Sequence, residues 1–418
     1  MIKYLNQPLV KNYVSLLLVQ GGNFIFPLLV FPLVGRNIGV SEFGNILFCY
    51  MVAFYFSIFV DYGFNFSAVR RVSKMEDHHG IGESFYSITC SKIMLATCSL
   101  VVMTLMTLSW DKLNPLSDYM LLSSLLIVAS MLSPYWLLQG VGKTAAGALI
   151  TLFARIFTLV VFLCFPITPY SAVLLLVLPN CLAALIMLLW VFSRYHIGQP
   201  RFSLPNVTAN LKEGWPVFVA NSITMVYSAS NTILLGIISG PLAAGLYGAA
   251  ERLVRSGLAV MAPLCQAAYP IICSCRAEQT AKRNKIIKLV LAASFVFGIS
   301  AFSILNLFST SIITLLFGEK FVSAAPILAV LSIMLLVIPP AIVLAQLYLL
   351  ANNHDKVLQR IYIFCSATHC LHIYFTTTLF GALGASYSLV FTELLATLLI
   401  LYMSMRIFKR ENLIGCVS

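Results

Sequence analysis

The chain has 418 residues, 60% of them hydrophobic and only 10% charged, with a mean hydropathy of +0.94. Soluble domains carry roughly a quarter charged residues, so a water-exposed globular fold is excluded. The net charge of +12 would suit a nucleic-acid partner only if it were concentrated; here it is spread in short clusters between apolar runs, so no nucleic-acid binding is expected.

Apolar runs of about 20 residues, the length that crosses a ~30 Å hydrocarbon core, recur along the chain. In order they fall near 12–34, 44–66, 84–109, 118–139, 144–166, 171–193, 214–239, 244–272, 286–308, 325–350, 357–379 and 385–405. The expected fold is therefore an all-α polytopic membrane protein of 12 transmembrane helices. Lys3 and Lys11 precede the first run, but that run is too long for a signal peptide and no A-x-A-like site follows, so it reads as an uncleaved first helix.

Orientation follows from the positive residues, which resist translocation. With both termini cytoplasmic, the inside segments hold most of the 26 Lys and Arg, including Arg70, Arg71, Lys74, Arg201, Lys282, Arg283, Lys285, Lys288, Lys356, Arg360 and Arg410. The outside segments keep Arg36, Lys112 and Lys320 against Glu42, Asp111, Asp118 and Glu319. Trp110, Trp136, Trp190 and Trp215 fall at expected span ends, where an amphipathic ring prefers the headgroup level. The 11 cysteines lie within spans or on the cytoplasmic side, which speaks against a disulfide framework. Cys273-Ser-Cys275 and His369-Cys370-Leu371-His372 lack a second ligand pair, so both read as packing residues and no metal is expected.

The longest polar segment between spans, Arg194 to Glu213, contains Gly198, Pro200 and Pro205 and divides the chain into 1–203 and 204–418, six spans each. Gly39 and Gly44 enclose the break between the first two spans; Gly240 and Gly245 enclose the corresponding break in the second half at equal spacing. Six spans per half implies a parallel repeat about an axis along the membrane normal.

The run Asn12, Gln20, Asn23, Pro27, Pro32, Arg36, Gly39, Phe43 and Gly44, followed by Asp61-Tyr62-Gly63-Phe64-Asn65, Ser67-Ala68 and Arg70, resembles O-antigen flippases of the Wzx type. These form part of the polysaccharide-transport branch of the multidrug/oligosaccharidyl-lipid/polysaccharide exporter superfamily. The second half is similar through Gly245-Leu246-Tyr247-Gly248-Ala249-Ala250-Glu251-Arg252, through Phe317-Gly318-Glu319-Lys320-Phe321, and through Gly381 and Gly384 ahead of Glu393. The resemblance covers essentially the whole chain. Asn231-Thr232-Ile233-Leu234-Leu235-Gly236 departs from relatives that carry an acid after the asparagine, which speaks against cation coupling through an acid there.

The resemblance implies two six-helix bundles around a central cavity, open alternately to either side of a bacterial inner membrane. It also implies a substrate of undecaprenyl diphosphate bearing a sugar repeat unit, membrane lipids as surroundings, and an O-antigen polymerase and chain-length regulator as partners. Such a headgroup finds no hydrogen-bond partners in hydrocarbon and needs a polar, preferably cationic path. Lys92, Arg155, Arg252 and Arg255 lie roughly 12–17 Å into their spans at ~1.5 Å per residue, and are the candidate substrate-binding residues. Asp61, Glu251 and Glu393 accompany them, as coupling groups or as members of structural ion pairs. Glu251 and Arg255 are spaced i, i+4 and can pair on one face. Arg155 has no acid in its own span, whereas Lys92 either meets substrate or reaches toward the cytoplasm along its flexible stem. Asn221, like Gln20 and Asn23, suits an interhelical hydrogen bond, and prolines 27, 32, 216, 263, 339 and 340 suit kinks.

No catalytic residue and no cofactor are expected. A membrane glycosyltransferase or O-antigen polymerase would need a catalytic acid or a substantial outside loop, and Gly35 to Phe43 offers only Glu42. An ion-coupled drug exporter would favour acids in its binding site, whereas basic residues outnumber acids here. No G-x-x-x-x-G-K-[ST] loop occurs, so ATP is not the direct energy source.

Overall fold

A computed structural model describes residues 21–22, 24–75, 78–195, 204–273, 279–352 and 354–415. Asn12, Gln20, Asn23 and Cys275 lie outside them, as do the side chains of Asn221 and Cys273. The described residues are helical, without a strand. The helices are α1 (Phe24–Ile38), α2 (Val40–Asp61), α3 (Phe64–Val72), α4 (His78–Ser109), α5 (Ser117–Leu132), α6 (Tyr135–Gly140), α7 (Thr144–Leu163) and α8 (Pro169–Arg194). They continue as α9 (Leu204–Ala229), α10 (Asn231–Ile238), α11 (Gly240–Ala259), α12 (Met261–Cys273), α13 (Thr280–Leu307), α14 (Ser309–Phe317), α15 (Ala325–Val343) and α16 (Asp355–Gly415).

Among the described residues, eight helical stretches are long and apolar enough to cross a membrane. The chain is thus an all-α polytopic membrane protein. The last stretch, Asp355–Phe408, carries two crossings' worth of residues and is broken at Gly381, whose φ of 55° and ψ of −130° are not helical. A Cβ at Gly384 would sit 1.8 Å from the Thr376 carbonyl oxygen, so glycine is required for the two arms to meet so closely. Counting α16 as two, and joining α9 with α10 and α11 with α12, gives a set consistent with twelve crossings. The two joins are real breaks, at Ser230 and Val260, that the hydropathy pattern reads through.

Large apolar side chains lie on the outside: Leu121, Leu307, Leu371 and Leu379 are more than two-thirds exposed, an arrangement that suits lipid tails. Trp136 departs from the expectation of a headgroup ring. It is 1% exposed in α6, so packing within the protein fixes it, whereas Trp215 is 55% exposed. The described cysteines are free thiols, and no group of three or more potential metal ligands occurs among the described residues.

The chain divides into two compact units, Ser41–Ser222 and Met1–Val40 together with Ile223–Ser418. The expected halves, 1–203 and 204–418, concern a sequence repeat; the compact units reflect packing, and they group α1 with the C-terminal helices. Gly39 and Gly240, the paired glycines of that repeat, both adopt left-handed φ, 85° and 84°, at the start of α2 and α11. A side chain there would be strained.

In the Ser41–Ser222 unit, α8 packs against α5 and α7, and α3 against α6. In the other unit, α15 is central, packed on α11, α13 and α16. Its close approach to α13 depends on Gly298, where a Cβ would meet the Leu335 carbonyl oxygen at 2.7 Å. Pro339 and Pro340 lie inside α15, and a π-helical turn, Leu344–Leu349, follows. Pro179, inside α8, is an unforeseen interior proline.

Candidate functional site

Asp61, Lys92 and Arg155 belong to the Ser41–Ser222 unit. The first helix of that unit stops at Asp61 because Tyr62 and Gly63 take left-handed φ of 45° and 80°. Gly63 has no room for a side chain, since a Cβ would lie 2.8 Å from Val217. Lys92, 2% exposed on α4, donates from Nζ to Asp61 Oδ1 at 3.0 Å, to the Ser130 carbonyl at 2.9 Å and to the Ser133 carbonyl at 3.3 Å. An ammonium has three donors, and all three are directed at acceptors.

The reason lies in α5. Pro134 has no N–H, so the Ser130 carbonyl cannot receive its regular helical bond, and Lys92 supplies the donor while facing the negative end of the helix dipole. Ser130 Oγ closes the set by donating to Asp61 Oδ1 at 2.9 Å. Of the two alternatives for Lys92, substrate contact or a reach toward the cytoplasm, the second is not what the structure has: the ammonium is directed at Asp61, Ser130 and Ser133 and joins three helices.

Arg155 is the sole charged residue of α7. It shares a side of that helix with the buried Gly147, Ala154 and Thr158, while Phe153, Ile156, Phe157 and Val160 are exposed on the other. The guanidinium is thus directed away from the lipid-facing stripe, and Tyr50 of α2 is within electrostatic reach of it. A further polar cluster, not foreseen from the sequence, joins Arg71 to Glu213 and, at 2.8 Å, to Asn210 Oδ1. Asn210 in turn donates to Ser87 and Ser91 at 2.7 and 3.1 Å. Its members come from α3, α4 and α9, far apart in sequence, and an Asn-x-x-Glu spacing is too common to flag.

The other unit holds Glu251, Arg252, Arg255 and Glu393. Glu251 and Arg255 pair along one face of α11, Arg255 Nε to Glu251 Oε1 at 2.8 Å and Nη2 at 2.7 Å, as the i, i+4 spacing predicts. Thr232 donates to the other Glu251 oxygen at 3.4 Å. Glu393 of α16 is within electrostatic reach of Arg255, so one guanidinium faces two carboxylates. Arg252 lies with its guanidinium carbon 4.7 Å from the centre of the Phe31 ring, a cation–π distance.

Beside these charges runs a buried hydrogen-bond chain built on the histidines read above as packing residues. His369 Nε2 lies 3.0 Å from Asn231 Oδ1, and Asn231 Nδ2 donates to the Tyr247 hydroxyl at 3.0 Å. His369 Nδ1 lies 2.8 Å from Thr392 Oγ1 and 3.4 Å from Ser388 Oγ. Ser388 Oγ is 2.7 Å from His372 Nδ1. The signal available in the sequence was the pair of intramembrane imidazoles at i, i+3; their partners lie on other helices.

Residues 9–276 match the family described as "Polysaccharide biosynthesis protein". The chain is 31% identical over 407 residues to a protein of Escherichia coli (strain K12) named "Putative O-antigen transporter", covering 96% of this chain and 97% of that protein. Its fold is similar to "Lipid II flippase MurJ, inward closed conformation" (TM-score 0.75, 13% identity, 93% of this chain and 87% of that one). It is likewise similar to an inward-facing multidrug resistance MATE family transporter of the MOP superfamily (TM-score 0.68, 14% identity, 94% and 96%). At these identities the two solved structures speak to fold alone.

Proposed function

We propose that this chain, which belongs to the polysaccharide biosynthesis protein family, is a multi-pass inner-membrane flippase that carries a lipid-linked O-antigen repeat unit from the cytoplasmic to the periplasmic leaflet. The observation that carries the reading is the 31% identity, sustained over 96% of the chain, with the Escherichia coli (strain K12) protein named "Putative O-antigen transporter". The finer part of the proposal is a substrate of undecaprenyl diphosphate bearing one sugar repeat unit, moved by alternating access without making or breaking a covalent bond. Arg155, Arg252 and Arg255 supply cationic contacts for the diphosphate, and an O-antigen polymerase and a chain-length regulator use the product. Membrane-embedded guanidinium groups support this, because each needs an anion or a polar surrounding to be tolerated there.

Deleting the gene is expected to remove O-antigen from the cell surface, leave lipopolysaccharide with its core alone, and accumulate sugar-loaded undecaprenyl diphosphate in the cytoplasmic leaflet. Gel profiles of lipopolysaccharide and mass spectrometry of the lipid carriers measure both. A normal amount and length distribution of O-antigen in the deletion strain, with no second flippase gene present, would refute the reading.

The orientation proposed has both termini in the cytoplasm. Reporter fusions after Lys112, Pro169 and Lys320 are expected to read periplasmic, and fusions after Lys74, Arg201 and Lys282 cytoplasmic. One inverted reading in the middle of the chain would overturn the span order.

A further inference from the structure

The hydrogen-bond chain around His369 plays no part in holding a sugar or a diphosphate in the reading above, yet it is built around two titratable groups near the middle of a span. His369 is 1% exposed, and Asn231, Ser388 and Thr392 around it are buried as completely. Asn231 spends its amide N–H on Tyr247, which leaves Oδ1 as an acceptor, so His369 carries its proton on Nε2 and presents the Nδ1 lone pair to Thr392 and Ser388. Thr392 Oγ1 meanwhile lies 2.9 Å from the Ser388 carbonyl as a donor. If the hydroxyl proton goes to that carbonyl, the Thr392 oxygen is free to accept from a protonated Nδ1. The same heavy atoms therefore satisfy both charge states of His369, by rotation of one hydroxyl. His372, half-buried, meets the same two hydroxyls, Ser388 at 2.7 Å and Thr392 at 3.4 Å, so a proton can pass from His372 through Ser388 to His369 Nδ1.

The charges nearby decide what the proton does. The elements packed on this part of α16 are α10, α11, α15 and the turn Leu344–Leu349. Helices α10 and α15 carry no titratable residue, the turn carries Tyr348, and α11 carries Tyr247, Glu251, Arg252 and Arg255. On α16 itself Glu393 adjoins Thr392, and between residues 362 and 393 the other titratable side chains are Tyr362, Cys365, Cys370, Tyr374 and Tyr387; Asp355, Lys356, Arg360, Tyr402, Arg406, Lys409, Arg410 and Glu411 lie toward the two ends of the helix. With Glu251 and Glu393 both ionised, two guanidinium groups against two carboxylates leave this set balanced, and a proton added to an imidazole is then a net charge in hydrocarbon, costly unless an anion arrives with it.

We propose that His369 and His372, bridged by Ser388 and Thr392, hold one exchangeable proton inside the membrane, and that this proton and an anionic diphosphate headgroup favour each other's binding. The proposal rests on the flippase reading for the identity of the anion. Because linkage is reciprocal, the headgroup strengthens proton binding by the factor by which the proton strengthens headgroup binding. Release of the proton on one side of the membrane then weakens the hold on the headgroup there.

The test uses the full chain in lipid nanodiscs with ¹⁵N-labelled histidine; the chain has 6 histidines, assigned by single replacement. The probe is undecaprenyl-diphosphoryl-N-acetylglucosamine, whose diphosphate diester has no proton to lose near neutral pH. The ring nitrogens of His369 and His372 are expected to titrate together between pH 4 and 9, with a midpoint that moves upward when the probe is added. Affinity for the probe is expected to fall by up to about tenfold per pH unit above the midpoint. His369→Gln, whose amide N–H can replace the bond to Asn231 but cannot take a proton, is expected to flatten that dependence; Thr392→Val serves as a second variant if the first is poorly folded. Imidazoles that stay neutral throughout, a midpoint indifferent to the probe, or an unchanged pH slope in both variants would overturn the proposal. Failure of the flippase reading would show separately, as normal O-antigen in the deletion strain whatever the imidazoles do.

Discussion

Arg155→Ala is expected to leave a complemented deletion strain without surface O-antigen while the protein stays in the membrane at its normal level. Arg155 lies near the middle of α7, is the only charge on that helix, and sits on the side away from the lipid-facing Phe153, Phe157 and Val160. A planar guanidinium can grip a diphosphate through two parallel N–H bonds. At about 1.5–3 kcal/mol for each charge-assisted bond, losing such a contact slows translocation by roughly two to four orders of magnitude. Arg155→Lys keeps the charge without the fork and is expected to retain part of the activity, whereas Arg155→Gln is expected to behave like alanine. Lipopolysaccharide profiles read alongside immunoblots of the membrane fraction make the check. Full O-antigen display from Arg155→Ala at normal abundance would remove Arg155 from the substrate path, and loss of the protein itself would assign it a structural duty instead.

Lys92→Met is expected to do the opposite, lowering abundance before activity can be asked about. The ammonium is buried, and it serves Asp61 and two carbonyls at the end of α5 at once. Breaking a buried ion pair from one side costs about 3–5 kcal/mol, and the low end applies because the Asp61 side chain is 36% exposed and water can reach it. Asp61→Asn should be milder, since an amide oxygen can still accept from Lys92 and from Ser130. The combination of Lys92→Met with Asp61→Asn should recover part of the loss, because no unpaired carboxylate is left behind. Thermal unfolding in detergent, followed by the fraction remaining soluble, gives the ranking. A Lys92→Met protein as stable as the parent would mean that the three bonds contribute nothing net.

These two residues mark where sequence reading works in this chain and where it stops. Hydropathy finds helices because every backbone group in lipid must be bonded within its own segment. Glycine pairs find the break before α2 and before α11 because a left-handed residue there has few alternatives. The Glu251–Arg255 pair is legible because both ends lie on one helix. Lys92 is not, for Asp61 is 31 residues away and the Pro134 that frees the Ser130 carbonyl lies just past the end of a third helix, α5. The histidine chain fails for the same reason: Asn231 is 138 residues from His369, and a His-x-x-His spacing alone points equally to metal, packing or proton. Breaks at Ser230 and Val260 vanish when hydropathy is averaged along a window, since a bend changes direction and not composition.

The π-helical turn at Leu344–Leu349 sets the aim of the helix on either side of it. Such a turn contains one residue more than the α-helical turn it replaces. Each residue rotates an α-helix by about 100°. Deleting one residue here to restore regular winding would therefore swing everything on one side around the axis, carrying Leu347 and Leu349 out of the interior they now fill. With Pro339 and Pro340 just upstream already removing two N–H donors from the hydrogen-bond ladder, a change of one residue in length here re-aims half a helix.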